Sequence, residues 1–160
     1  ERSFRSVVES SFNSITVDGD MSTNDTCLIM VNGMAGNSPI TAGSPESAEF
    51  EKLLHDVLLS LAKQIVKDGE GATKFVEVRV TGALHNADAK RAALAIANSS
   101  LVKTAFFGQD ANWGRIFAAV GYSGATVPPW TAFALPCPKL DRESSVSAFL
   151  ERPCPIAALR

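Results

Sequence analysis

A carboxylate set between two glycines is the best-placed chemical group in this sequence. Glu70 lies in the polar run Asp68-Gly69-Glu70-Gly71-Ala72-Thr73-Lys74, where glycine admits left-handed or tight-turn backbone that a Cβ resists. A carboxylate held in such a turn can meet an amine through a charge-assisted hydrogen bond. The competing reading is a solvated acidic residue in the last turn of a helix. Two other polar runs carry functional groups, Asp18-Gly19-Asp20-Met21-Ser22-Thr23-Asn24-Asp25 and Asp110-Ala111-Asn112-Trp113-Gly114-Arg115. In the first, Asp, Asn, Ser and Thr could line a polar pocket, but such residues more often fold back on their own backbone. In the second, a buried Trp whose indole donor finds a partner is the commoner explanation.

No other catalytic set is recognisable. His55 and His85 are isolated, with no Cys or carboxylate at ligand spacing, and read as non-catalytic. Cys27, Cys137 and Cys154 are odd in number and lack metal-ligand spacing, which points to a reducing compartment without a disulfide framework. Glu1 offers neither hydroxyl nor thiol as an N-terminal nucleophile, and no Ser–His or Cys–His motif replaces it.

The elements that must position Glu70 are legible on both sides of it. Upstream, Ser44 is a good N-cap, Pro45 suits the first helical position, and Glu46 and Glu49 favour the positive end of the dipole. Phe50, Leu53, Leu54, Val57, Leu58, Leu61 and Ile65 then follow helical spacing, which predicts a core-facing helix of about five turns. Gly69 is a candidate C′ residue. Downstream, Val76, Val78 and Val80 alternate with Glu77, Arg79 and Thr81 as a strand. Asn86 is expected to cap a further helix that buries Ala92, Ala93, Ile96 and Ala97. Phe4, Val7, Val8 and Phe12 predict an uncapped helix entered midway, which suggests that the natural polypeptide extends upstream. Ile15–Asp18 and Cys27–Val31 are expected to be strands, although the second run could be a short buried helix; Leu101–Phe107 is expected to be a further strand, and Ile116 to Tyr122 resumes an apolar stretch.

At 160 residues, 46% hydrophobic and 20% charged, the chain reads as one soluble globular domain or a piece of one. A formal charge of -2 without a basic stripe argues against nucleic acid. No run approaches the roughly 18 apolar residues of a membrane span, and Glu1-Arg2-Ser3-Phe4 is no signal peptide. After Thr126 the character changes. Six of the eight prolines, Pro128, Pro129, Pro136, Pro138, Pro153 and Pro155, lie there, and proline density excludes ladders and helices. Residues 126–160 are therefore expected to form a Pro-rich, unstructured tail, the product of a reading-frame slip, a divergent end or a truncation.

Taken together, the polar runs resemble one family. Ser11-Phe12-Asn13-Ser14-Ile15-Thr16-Val17-Asp18-Gly19-Asp20 with Ser22-Thr23-Asn24-Asp25, then Asp68–Lys74, then Leu101-Val102-Lys103-Thr104-Ala105, then Asp110 with Asn112-Trp113-Gly114-Arg115, match four blocks of the ornithine acetyltransferase (glutamate N-acetyltransferase) family in order and spacing. The likeness covers roughly Phe4 to Ala125. Met21 stands where the family usually has a small hydroxyl residue, and Ala111 where it has proline.

The resemblance implies an α/β, self-processing fold like that of N-terminal-nucleophile enzymes, with mixed or antiparallel sheets covered by helices, of which residues 1–125 would form part of the second (β) chain. It implies an acyltransferase of arginine biosynthesis, cytoplasmic, that passes acetyl from N-acetylornithine to glutamate through an acetyl-threonine. Acetyl-CoA is a further donor in some members; no bound cofactor and no metal are expected. The precursor cuts itself before the nucleophilic threonine, so that residue and the oxyanion-hole and lysine positions would lie upstream of Glu1. An α chain from the same precursor would be the partner in a hetero-oligomer. Glu70 matches the substrate-binding carboxylate; no catalytic residue falls within the chain, which alone is expected to be inactive. Rival readings are a non-catalytic amino-acid-binding or scaffold module and a related self-cleaving aminopeptidase or amidase.

Overall fold

Three alternating valines set the centre of the molecule. In a computed structural model, which describes residues 1–126, 133–135 and 143–149, strand β1 (Phe75–Thr81) buries Val76, Val78 and Val80 and leaves Arg79 exposed. Against that face lies α3 (Asn86–Asn98), which buries Ala89, Ala92, Ala93, Ile96 and Ala97. Small side chains let a helix approach a sheet closely, and Ala92, Ala93 and Ile96 are wholly excluded from water. Two short helices complete the core: α4 (Ser100–Phe107) through Val102 and Phe106, and α5 (Trp113–Tyr122) through Ile116, Ala119 and Val120.

The sheet is mixed. β3 (Glu143–Phe149) runs parallel to β1 in the register Phe75↔Glu143 to Thr81↔Phe149, and β2 (Phe133–Leu135) pairs antiparallel with β3. A mixed sheet covered by helices was the expectation. Strands inside the proline-rich tail were not, and these two segments correct the expectation of an unstructured end there. Residues 127–132, 136–142 and 150–160 lie outside the described residues.

α1 (Arg2–Ser10) packs on α2 (Pro45–Lys67), followed by a 3₁₀ turn over Phe12–Ser14. α2 starts as its sequence dictates, with Ser44 Oγ accepting from Ser47 N at 3.2 Å. Its C-terminal half is tied to β1: Lys63 Nζ is 3.5 Å from Glu77 Oε2, and Lys63 and Lys67 lie over the Phe75 ring. Asp88, buried in the first turn of α3, accepts from Arg91 at 2.7 Å and from the Thr126 amide at 3.2 Å. A buried carboxylate needs such partners, and here it anchors the chain at Thr126.

Five local expectations are corrected. Leu101–Phe107 is helical: Ser99 caps α4 by accepting from Val102 N at 3.3 Å, and Val102, Ala105 and Phe106 bury one helical face. Ile15–Asp18 and Cys27–Val31 form no strand with the described residues; the first is half-buried at Ile15 and Thr16 and bends at Val17 and Asp18, and the second is exposed throughout. α2 is not core-facing along its predicted stripe: Leu58, Ala62 and Val66 are buried, whereas Phe50, Leu53, Val57, Leu61 and Ile65 are exposed. The helix is apolar on two faces, and α1 covers only one. The N-cap of α3 is His85, with Asn86 the first helical residue. Trp113 is 62% exposed and stacks edge-to-face with Phe117, their ring centroids 5.9 Å apart.

One ion pair links α1 to α3. The Glu9 carboxylate accepts from Asn13 at 2.8 Å and from Lys90, and these bonds hold its pKa below the ordinary carboxylate value. A folded-state pKa below the unfolded one adds stability that is complete above the usual range of about 4.3 and disappears as the pH falls through the lowered value. Glu9→Gln should therefore leave the melting temperature nearly unchanged at pH 3 and lower it slightly at pH 7. Equal losses at both pH values would show that the charge is irrelevant. The effect is small because both groups face solvent.

Candidate active-site cleft

The Glu70 turn is built by two glycines in different ways. Asp68 closes α2, donating its amide to Gln64 O at 3.0 Å, and a turn follows in which Ala72 N donates to Gly69 O at 2.9 Å. Gly71, at the third position of that turn, has φ +68°, the left-handed value such a turn requires. Gly69 is needed for space instead: a Cβ there would lie 3.1 Å from Val17 Cγ1 and 3.2 Å from Val66 O. Between them the Glu70 side chain is exposed on the rim of a cleft of about 360 Å³.

The cleft walls come from distant parts of the chain. Val17, Val66, Val76, Ala97 and Phe106 give it an apolar lining, and Thr73, Lys74, Lys103 and Thr104 bring polar groups. Lys74 Nζ donates to Phe106 O at 2.6 Å, tying the entry to β1 onto the end of α4. Lys103 Nζ donates to Val17 O at 2.6 Å, tying α4 onto the first polar run. Arg115 NH1 donates to Leu101 O at 2.9 Å and to Thr104 Oγ1 at 3.1 Å. Asn112 caps α5, its Oδ1 accepting from Arg115 N at 3.3 Å, while its amide donates to Asp110 Oδ2 at 3.0 Å. Lys74 and Lys103 thus tie the first three blocks, or residues next to them, around the cavity, while Arg115 of the fourth block bonds to the wall residue Thr104 without lining the cavity itself.

Such a cavity can hold an apolar stem with an amine directed at Glu70. It does not itself supply a nucleophile–base pair. Thr104 donates to Leu101 O and accepts from Arg115, so its oxygen faces a cation rather than a base. Neither histidine lines the cleft: His55 is on α2 with Nδ1 3.8 Å from Asp56, and His85 precedes α3. The acceptors of the first run bond locally, with Asp20 N donating to Asp18 Oδ1 at 2.9 Å and Ser22 Oγ to Asn24 Oδ1 at 2.7 Å. They form a self-satisfied turn, not a pocket floor. Among the described residues no cluster of His, Cys, Asp and Glu could hold a metal ion.

Sequence reasoning singled out Glu70 but not Lys74, Lys103 or Thr104 as walls of its cleft, nor Arg115 as the partner of Thr104. Their presence in the matched blocks was the available signal.

Comparison with known proteins identifies the family. The family model described as the ArgJ family matches residues 1–134. The chain belongs to the ArgJ family. The arginine biosynthesis bifunctional protein ArgJ of Geobacter sulfurreducens is 73% identical over 129 residues, covering 81% of this chain and 33% of that protein. The mitochondrial protein of the same name from Schizosaccharomyces pombe is 58% identical over 125 residues, 78% of this chain and 28% of that one. The chain thus spans about a third of the length of the curated relatives it matches. The crystal structure of ArgJ from Bacillus halodurans superposes with a TM-score of 0.91 at 38% identity, over 99% of this chain and 84% of that one. The family and the α/β fold expected from the four blocks are those found. Among the described residues no helix is long and apolar enough to cross a membrane.

Proposed function

We propose that this chain forms the substrate-amine side of an ornithine acetyltransferase active site, completed by the remainder of an ArgJ polypeptide. The single observation that supports this reading is the Glu70 cleft itself, lined from the first three blocks, with Arg115 of the fourth bonded to Thr104 in its wall. In the proposed reaction a threonine from outside this chain attacks the acetyl carbonyl of N-acetylornithine. Its hydroxyl proton passes to a base, the C–N bond breaks, and ornithine leaves as the amine. The amine of glutamate then attacks the acetyl-threonine ester, forming N-acetylglutamate and releasing the threonine hydroxyl. A terminal α-amine with pKa near 8 is a suitable base for its own hydroxyl. Acetyl-CoA would enter by acylating the same threonine. Glu70 binds the ammonium of the amino-acid substrate and takes no part in bond making. The proposed partner is an α chain from the same precursor, in a hetero-oligomer. A cytoplasmic setting goes with this reading, in keeping with the free, exposed thiol of Cys27.

Glu70→Gln in the complete enzyme keeps size and hydrogen-bonding capacity but removes the charge. A charge-assisted contact is worth about 1.5–3 kcal/mol, so kcat/KM for the ornithine substrate should fall about tenfold to a hundredfold. The melting temperature should barely move, because Glu70 is exposed in its turn. A lower melting temperature with unchanged kinetics per folded molecule would assign Glu70 a structural role and sink the proposal.

A further inference from the structure

The segment before α2 carries five consecutive apolar residues, Cys27–Val31, each of them exposed among the described residues. Leu28, Met30 and Val31 of the run Cys27–Val31 are more than 70% exposed, as is Met34 beyond it. No backbone group of Cys27–Val31 makes a backbone hydrogen bond to any described residue. A short, charge-free apolar run with unpaired N–H and C=O groups is a template for strand pairing. The run also opens into a groove of about 1140 Å³, where Met30, Val31, Met34 and Ile40 face Phe50 and Leu53 of α2. From Phe50 and Leu53 the exposed apolar face of α2 continues through Val57, Leu61 and Ile65. A single chain in water seldom exposes so continuous an apolar surface.

The length of the relatives supplies a candidate for what covers it. This chain spans about a third of each curated relative it matches, so some two thirds of an ArgJ polypeptide lies outside it. We infer that Cys27–Val31 becomes a strand when an extended, alternating apolar segment of that remaining polypeptide pairs with its backbone. The segment's apolar side chains fill the groove between residues 30–41 and Phe50 and Leu53 of α2. This deepens the proposed pairing with the rest of the precursor and rests on it, but it does not depend on acetyl transfer. Backbone pairing fixes register, and the groove supplies alternate side-chain pockets, the usual division of work in strand addition.

Amide hydrogen exchange tests the inference on two forms of the protein, the 160-residue chain and the complete polypeptide, with transferase activity assayed separately. In the complete protein, exchange across residues 27–31 should slow by about a hundredfold or more relative to the chain alone. Val31→Asp should lower the melting temperature of the complete protein and restore fast exchange there, yet leave the 160-residue chain unmoved, since Val31 is exposed in it. Equally fast exchange in both forms overturns the inference. So does a Val31→Asp loss in the chain alone, which would mean that the chain covers its own groove. A concentration-dependent dimer of the 160-residue chain that protects the same amides assigns the groove to a second copy and also overturns it. Protection of residues 27–31 in a complete protein without transferase activity supports the docking while refuting the proposed function, so the two can fail separately.

Discussion

The purified 160-residue chain is expected to show no acetyl transfer between N-acetylornithine and glutamate, and the complete polypeptide to show it. The expectation follows from what surrounds Glu70. The hydroxyls at the cleft are those of Thr73 and Thr104, and Thr104 is bonded to Leu101 O and to the Arg115 guanidinium. An alcohol becomes nucleophilic by giving its proton to a base, whereas a hydroxyl that accepts from a cation is made less so. The terminal amine belongs to Glu1, which has no hydroxyl to activate and whose carboxylate pairs with Arg5 at 2.7 Å. Binding and charge stabilisation without the nucleophile leave on the order of 10³–10⁴ over the uncatalysed rate in the best-studied hydrolases, so a loss of about 10³-fold or more is expected. Steady-state assays for ornithine release, with mass spectrometry for an acetylated intermediate, decide it. Turnover by the short chain within tenfold of the complete enzyme would require a nucleophile within these 160 residues and would overturn the proposed division of labour.

The second large effect concerns the core that holds the cleft in place. Ile96 is wholly buried on α3, among the valines of β1 and the apolar residues of α4 and α5. Ile96→Ala removes three carbons from a site whose alanine and valine neighbours cannot collapse far into the void. The loss should be about 2–5 kcal/mol, which lowers the melting temperature by on the order of 10 °C in a domain of this size. Ile65→Ala makes the same chemical change on α2, where Ile65 is 54% exposed, and should cost less than about 0.5 kcal/mol in the 160-residue chain. Thermal or urea unfolding of both variants measures the difference. Equal losses would mean that the exposed α2 face is packed within this chain, contrary to the structure. In the complete polypeptide the Ile65 variant should become more costly if the groove and the α2 face are covered there.

Local signals in the sequence determined the elements flanking Glu70. Ser44-Pro45 starts α2, the valine alternation of β1 needs no partner to be recognised, and the alanine-rich face of α3 was legible because capping and periodicity act within a few residues. The four blocks carried the family for the same reason, being short runs read in order along the chain. What failed was of two kinds. Leu101–Phe107 is apolar almost throughout, so periodicity could not separate strand from helix; the Ser99 cap decides for helix, and Val102, Ala105 and Phe106 find the core at helical spacing. Cys27–Val31 has the composition of a strand, but a ladder needs a neighbouring backbone, and the described residues provide none. The tertiary structure alone decided which of two apolar faces α2 buries, because a helix's pattern says that a face is apolar and not whether anything lies against it. It alone paired β1 with β3, more than sixty residues apart, through backbone groups that carry no side-chain signature. And it alone brought Val17, Lys74 and Lys103 around the Glu70 cleft, with Arg115 bonded to Thr104 in its wall, since the sequence orders these residues along a line, while the hydrogen bonds that close the cleft depend on distances across the fold.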